Sequence, residues 1–219
     1  LSPSWVVSKN RKLVAILKPN YGQKRFDIEL VEASSAAELD ELDNPTIIDG
    51  VMVYHLDGKS YRTPIKTLRG DFKDNGITKN RLRLWEKVDF KPQSNDIFQE
   101  RLYAIHWIER DTINNSRQVT YFRSVAPEDI AREEKVEKIL SDNFSDWQER
   151  GLIPDMAIEP GYNTSQPIRE RGWSHWHHLY MPRHLLINAI FRQVLKGRNE
   201  AYFSLVLCRI LNVESKMSR

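Results

Sequence analysis

The sequence predicts an α+β fold: an N-terminal, mainly antiparallel β region over residues 1–126, then a C-terminal helical region of about three helices over 127–219. Two observations carry that prediction. Short β-prone runs, one of them alternating apolar and polar with period two, fill the first region. From Pro127 onward the apolar residues recur at helical spacing instead.

Trp5–Val7, Leu13–Leu17 and Phe26–Val31 open the chain as strands, and Pro19-Asn20-Tyr21-Gly22 turns between the second and third. Residues 33–44 are small and acidic and read as a loop with a helical turn. Ile47–Tyr54 leads into Leu56–Tyr61 through Asp57-Gly58, a hairpin dipeptide whose glycine accepts positive φ. Leu82–Trp85, Leu102–Ile108 and Val119–Phe122 complete the strands, with Asn114–Ser116 turning between the last two. Pro127 suits a first helical position, and Glu128-Asp129 beside it suit the positive end of the helix dipole. Ile130, Val136, Ile139, Leu140, Phe144 and Trp147 form the stripe of a helix that ends at Gly151. Residues 152–181 read as an irregular, Trp- and His-rich loop. A second helix follows Pro182, running from Arg183 to about Lys196, and Gly197 closes it. A third begins near Asn199 and runs through Leu211.

Composition narrows the function classes. The 219 residues suffice for one generous domain or two small ones. An apolar share of 40% excludes a disordered chain. A mean hydropathy of −0.57, with no apolar run near the roughly 20 residues a span needs, excludes a membrane helix. Cys208 is the one cysteine, which excludes a disulfide scaffold and a cysteine-based zinc site and points to a reducing, cytoplasmic setting. Leu1–Trp5 has no initiator Met, no basic n-region and no apolar h-region, so it reads as a start inside a longer protein rather than a signal peptide. The stop just past the third helix reads the same way.

Charge is unevenly spread. Residues 1–126 carry 20 basic and 17 acidic residues, 127–159 carry 4 and 10, and 161–219 carry 9 and 3. Such asymmetry hints at an anionic partner for the basic parts, while a solvated basic face is the commoner meaning of it.

Catalytic signatures are missing. There is no Gly-x-Ser-x-Gly elbow, no Walker or dinucleotide fingerprint, and Cys208 sits in an apolar helical stripe where a thiol is inert. His175, His177 and His178, with His184 further on, could in principle ligate zinc or copper. Their spacing matches no mechanical logic of a metal site, and no Asp or Glu lies between Glu170 and Glu200. A packed polar-aromatic loop is the expected role, and no metal is expected.

Nucleic-acid binding is better supported. Between Lys59 and Lys91 ten basic and four acidic residues interleave with Tyr61, Phe72, Trp85 and Phe90. Basic side chains neutralise phosphates with counterion release, and aromatic rings can stack on bases. Residues 169–198 add further arginines beside Trp173 and Trp176. Lys66, Arg69, Arg81, Arg83, Arg169, Arg171, Arg183 and Arg192 are the candidate phosphate contacts. Arg183 follows Pro182 at a helix start, where free backbone N–H groups can add to phosphate binding. It could equally pair with Glu170 or cap a loop carbonyl.

The stretch Arg171-Gly172-Trp173-Ser174-His175-Trp176-His177-His178-Leu179-Tyr180-Met181-Pro182-Arg183-His184-Leu185-Leu186 resembles a segment of the prokaryotic adenine-specific DNA methylases of the zinc-ribbon-containing type. Their pattern is roughly Tyr-Gly-Met-x-x-Trp-x-Asp-Leu-Phe-Thr-Pro-Arg-Gln-Leu-Leu, and Gly172, Trp176, Leu179, Pro182, Arg183, Leu185 and Leu186 match it. Pro3–Lys9 looks like the strand after the family's first Cys-x-x-Cys, and Asn212–Arg219 like its Asn-Ser-x-x-Ser/Cys-Arg segment. His177 replaces the usual Asp, Met181 replaces a capping Thr, and the ribbon's cysteine pairs are not in this chain.

The resemblance implies an internal segment of an S-adenosylmethionine-dependent DNA adenine (N6) methyltransferase. The family's glycine-rich cofactor motif would lie upstream and its Asp-Pro-Pro-Tyr motif downstream, so this chain would bind no S-adenosylmethionine and would be inactive alone. Residues 1–126 would be a target-recognition insert, and 127–219 part of the methyltransferase scaffold. The partners would be double-stranded DNA and the remainder of the methyltransferase chain, with no membrane. The alternative is a non-catalytic α+β module that binds protein through its Trp-rich loop.

Overall fold

The computed structural model describes residues 1–162, 164–195, 209–213, 215 and 216. It is α+β, with antiparallel strands first and the long helices after Pro127. Two compact units divide the chain, one formed by Leu1–Leu68 and Arg101–Pro127, the other by Arg69–Glu100 and Glu128–Arg219. One border between the units falls between Pro127 and Glu128. Segment 69–100 lies on the other side of it, packed with the helices rather than with the strands that precede it.

In the first unit β1 (Val6–Ser8), β2 (Leu13–Asn20) and β3 (Arg25–Glu32) form an antiparallel sheet in that order. The β2–β3 register pairs Leu13 with Glu32 and Asn20 with Arg25. Helix α1 (Ala36–Leu42) starts where Ser35 Oγ accepts the Glu38 N–H at 3.1 Å, an N-cap that turns the expected loop into two helical turns. Strands β4 (Ile47–Ile48), β5 (Val51–Leu56) and β6 (Lys59–Pro64) form a second sheet, and the short helix α2 (Ile65–Leu68) follows directly. The turn residues Asp57 and Gly58 take φ of 50° and 73°, the left-handed pair that matches strand twist in a two-residue hairpin. Strands β9 (Ala104–Ile108) and β10 (Thr120–Ser124) pair antiparallel later in the chain. Trp5, Val14, Ala15, Ala33 and Leu39 make the buried core of this unit.

The second unit opens with a hairpin that the sequence reading passed over, β7 (Phe72–Asp74) and β8 (Ile77–Lys79), turned by Asn75-Gly76. Helix α3 (Pro127–Glu149) is the predicted one, with Leu140, Phe144 and Trp147 buried along one face. It ends as expected at Gly151, where Leu152 N–H reaches back to Trp147 O at 2.7 Å and Gly151 N–H to Gln148 O at 2.9 Å, a Schellman closure. Leu152 and Ile153 then fold into the same core as Leu185 and Ala189 of α5 (Pro182–Leu195). Each fully buried Leu in such a core contributes about 1.5–3 kcal/mol relative to exposure.

Two sequence expectations change here. The 152–181 loop contains α4 (Ser165–Arg171) and a 3₁₀ turn, Trp176–Leu179. Leu82–Trp85 is no strand, because its backbone is held by single contacts to the turn after α4 instead of a ladder. Most of the expected third helix, with Cys208, Lys196 and Arg198, lies outside the described residues, while 209–213 are helical. No helix among the described residues is long and apolar enough to cross a membrane.

Candidate nucleic-acid interface

Segment 80–100 of the second unit is irregular, so its polar groups need partners other than a ladder. Arg83 supplies them. Its guanidinium donates from Nε and Nη2 to the two Asp96 oxygens, both at 2.7 Å, and from Nη1 to Asp89 at 2.5 Å. Asp89 also accepts the Glu86 N–H at 2.7 Å, and Asp96 the Gln93 N–H at 2.8 Å. The hydrogen bonds that Arg83 donates to Asp96 and Asp89 raise its pKa, against the effect of burial. Burial alone would push the Asp89 carboxyl up, but the bonds from Arg83, Glu86 and Gln93 hold it below the usual carboxylate range.

This loop is stitched to the turn after α4. Trp85 N–H donates to Gly172 O at 2.8 Å, Ser174 Oγ–H donates to Trp85 O, and Asn80 Nδ2–H donates to Arg169 O at 2.5 Å. Gly172 has φ +76°. The Trp85 and Trp173 rings, both buried, meet edge to face with centroids 6.2 Å apart.

His177 and His178 are fully buried beneath this corner. His178 Nε2–H donates to Glu86 O at 3.0 Å while its Nδ1 accepts the Ser174 N–H at 3.1 Å, and His177 Nε2–H donates to Asp89 O at 3.0 Å. Those carbonyl acceptors assign the Nε2–H tautomer to both rings. Burial pushes the His177 pKa down to about 4 and that of His178 to about 3, the adjacent His175 and His177 adding to the effect. The two rings are neutral props under the 86–89 loop. Among the described residues no group of three or more His, Cys, Asp or Glu is placed to hold a metal ion.

The eight basic candidates sort into two kinds. Arg69, Arg83 and Arg183 are half-buried and committed to carboxylates. Arg69 binds Asp71 with Nε at 3.1 Å and Nη2 at 2.7 Å. Arg183 pairs with Glu133 of α3 at 2.8 Å, which fixes the start of α5 on α3; the partner is neither Glu170 nor a loop carbonyl. Lys66, Arg81, Arg169, Arg171 and Arg192 are exposed. Arg169 makes a 3.3 Å pair with Glu170, too exposed to neutralise it firmly, and Arg171 lies over the Phe98 ring at 4.9 Å.

Asn80, next to Arg81, donates to the carbonyl of Arg169, so Arg81, Arg169 and Arg171 stand on neighbouring segments, their side chains directed to Gly70, Glu170 and Phe98 respectively. Lys66 belongs to the first unit, where Arg62, Lys59 and half-exposed Tyr61 on β6 accompany it. Arg192 stands on α5. The aromatic side chains fare differently from the sequence reading: Trp85 and Trp173 are buried and Phe90 packs against the helical core, which leaves Tyr61, Phe72 and Trp176 at the surface.

Compared with protein-family models, with curated proteins and with solved structures, the chain matches none of them.

Proposed function

We propose that this chain is a segment of a DNA adenine (N6) methyltransferase that supplies DNA contacts and scaffold, methyl transfer being carried out elsewhere in the parent protein. The observation that carries the reading is the set of exposed arginines Arg81, Arg169 and Arg171 on the neighbouring segments at the Gly172 corner, where Arg171 opens the stretch that resembles the methylases. The residues shared with that family pattern also do structural work here: Gly172 turns left-handed, Leu179 and Leu185 are buried, and Pro182 starts α5. Such positions are constrained by packing, which supports a shared scaffold rather than a shared composition.

The reading places no S-adenosylmethionine site in this chain. The strand-to-helix junctions β3–α1, β6–α2 and β10–α3 carry no glycine, so none offers the glycine-rich phosphate- or ribose-side turn that nucleotide-type cofactors commonly use. The reading accordingly leaves the chemistry of methyl transfer to the remainder of the parent protein.

A second reading, a non-catalytic protein-interaction module, is favoured by one observation. Ile187, Ile190 and Val194 form an exposed apolar stripe on α5. The Trp-rich loop offers less, since Trp173 is buried and only Trp176 of its two tryptophans reaches solvent.

Fluorescence anisotropy with a labelled duplex separates the two. The DNA reading expects dissociation constants of roughly 10⁻⁴–10⁻⁶ M, the range of non-specific complexes. No binding even at low salt would favour the interaction module.

A further inference from the structure

Lys216 is a buried lysine of the second unit. Its side chain is 8% exposed, and its ammonium lies 4.9 Å from the centroid of Trp173 and 5.6 Å from that of Trp85. Nζ donates to Glu100 Oε1 at 2.5 Å, and the backbone N–H of the same residue donates to Leu179 O at 2.8 Å. Burying an ammonium is costly unless the charge is both faced and hydrogen-bonded. Here two crossed indole faces and one carboxylate do both. Arg83 also lies over Trp85, at 5.9 Å, but its charge is already met by Asp89 and Asp96, which leaves Glu100 to the lysine.

We infer that Trp85, Trp173 and Glu100 form a binding site for a primary alkylammonium, that is, an unmodified lysine side chain, and that Lys216 of the same chain occupies it. The choice of ligand follows from the two kinds of wall. Indole faces attract any organic cation, quaternary ones included. Glu100, as a hydrogen-bond acceptor, rewards only a cation that carries an N–H. A trimethylated ammonium would keep the rings and lose the bond. Because the Lys216 backbone is hydrogen-bonded beside the cage, the segment Ser215–Lys216 acts as a plug: while it is seated, no other lysine can enter. Burial lowers the ammonium pKa from the ordinary lysine value, and Glu100 opposes that shift.

Chemical rescue tests the site. Lys216→Ala removes Cγ to Nζ, and n-propylammonium restores those atoms as a free ion. In the full chain, Lys216→Ala should shift tryptophan emission to the red, and millimolar n-propylammonium should reverse the shift. Tetramethylammonium at equal ionic strength should be weaker by about tenfold, the ratio expected for one charge-assisted hydrogen bond. Adding Glu100→Ala, which removes the acceptor, should abolish that preference while leaving some response to both cations. Equal rescue by the two cations, or by sodium chloride, would overturn the inference. The wild-type chain gives an independent reading should Lys216→Ala fail to fold. Facing two indole rings, the Lys216 Hε signals should lie upfield of those of the exposed lysines in a proton–carbon correlation spectrum. An unshifted set of lysine signals would contradict the occupied cage.

Discussion

The carbonyl oxygen of Arg83 lies 2.1 Å from the point where a Cβ on residue 172 would stand, so Gly172 is the only residue that admits the approach of these two chain segments. The neighbour is backbone and cannot rotate away. Gly172 also has φ +76°, a conformation that costs a side-chain-bearing residue on the order of 1 kcal/mol before any clash. Gly172→Ala should therefore destabilise the second unit by at least about 2 kcal/mol in urea denaturation, combining strain with a forced opening of the Trp85–Gly172 hydrogen bond. A change within experimental error would mean that the corner is not built this way.

Arg83 makes its three carboxylate bonds from a planar fork, which a lysine cannot reproduce. Arg83→Lys should cost about 1–3 kcal/mol, and Arg83→Ala more, since Asp89 and Asp96 would be left facing each other. Neither change should alter the salt dependence of DNA binding, because the guanidinium is already committed. Denaturation curves and binding titrations on the same two variants check both halves of this expectation.

Acid should act on the buried histidines early. Their folded-state pKa values, about 4 for His177 and about 3 for His178, lie below the ordinary value of 6.5. Below pH 6.5 the unfolded chain thus binds protons that the folded chain refuses. The stabilisation they provide is whole above pH 6.5 and is lost as pH falls toward 4 and then 3, with a slope of up to about 2.7 kcal/mol per pH unit for the two together. In NMR, both rings should remain in the neutral Nε2–H form at pH 5.5. Ring signals that titrate at pH 6.5 would contradict the buried, hydrogen-bonded placement.

The local elements were readable in the sequence where a short-range rule decides them. Phe26–Val31 alternates with period two and is β3; Pro127 and Gly151 bracket α3. Asn75-Gly76 carried the same turn chemistry as Asp57-Gly58 and could have been read as a hairpin. Ser35 and Glu38 were likewise a legible cap. Helix α4 was harder, because Pro167 interrupts a short polar stretch with little apolar periodicity. Leu82–Trp85 has strand composition but finds its partners across tertiary contacts with residues 172–174, which no local pattern encodes.

The same limit applies to the site. Composition could rank Arg83 and Arg183 beside Arg81 and Arg171, but only the fold brings Asp96 to one and Glu133 to another. Trp85 and Trp173 carry the right residue type for stacking on bases and are spent on each other and on Lys216. Asn212–Arg219 drew notice only for its likeness to a family segment, and no local pattern marks the cage around Lys216, whose partners lie more than 30 residues away along the chain.

The central claim is that the exposed arginines around Gly172 contact DNA phosphates, and the slope of log K against log salt for duplex binding tests it most directly. Each phosphate contact contributes about 0.9 to that slope. The account predicts that replacing Arg169 and Arg171 together by Ala flattens the slope by about 1.8, two contacts' worth, while Arg183→Gln, whose side chain faces Glu133, leaves it unchanged. A slope indifferent to Arg169 and Arg171, or absence of binding at low salt, would contradict it.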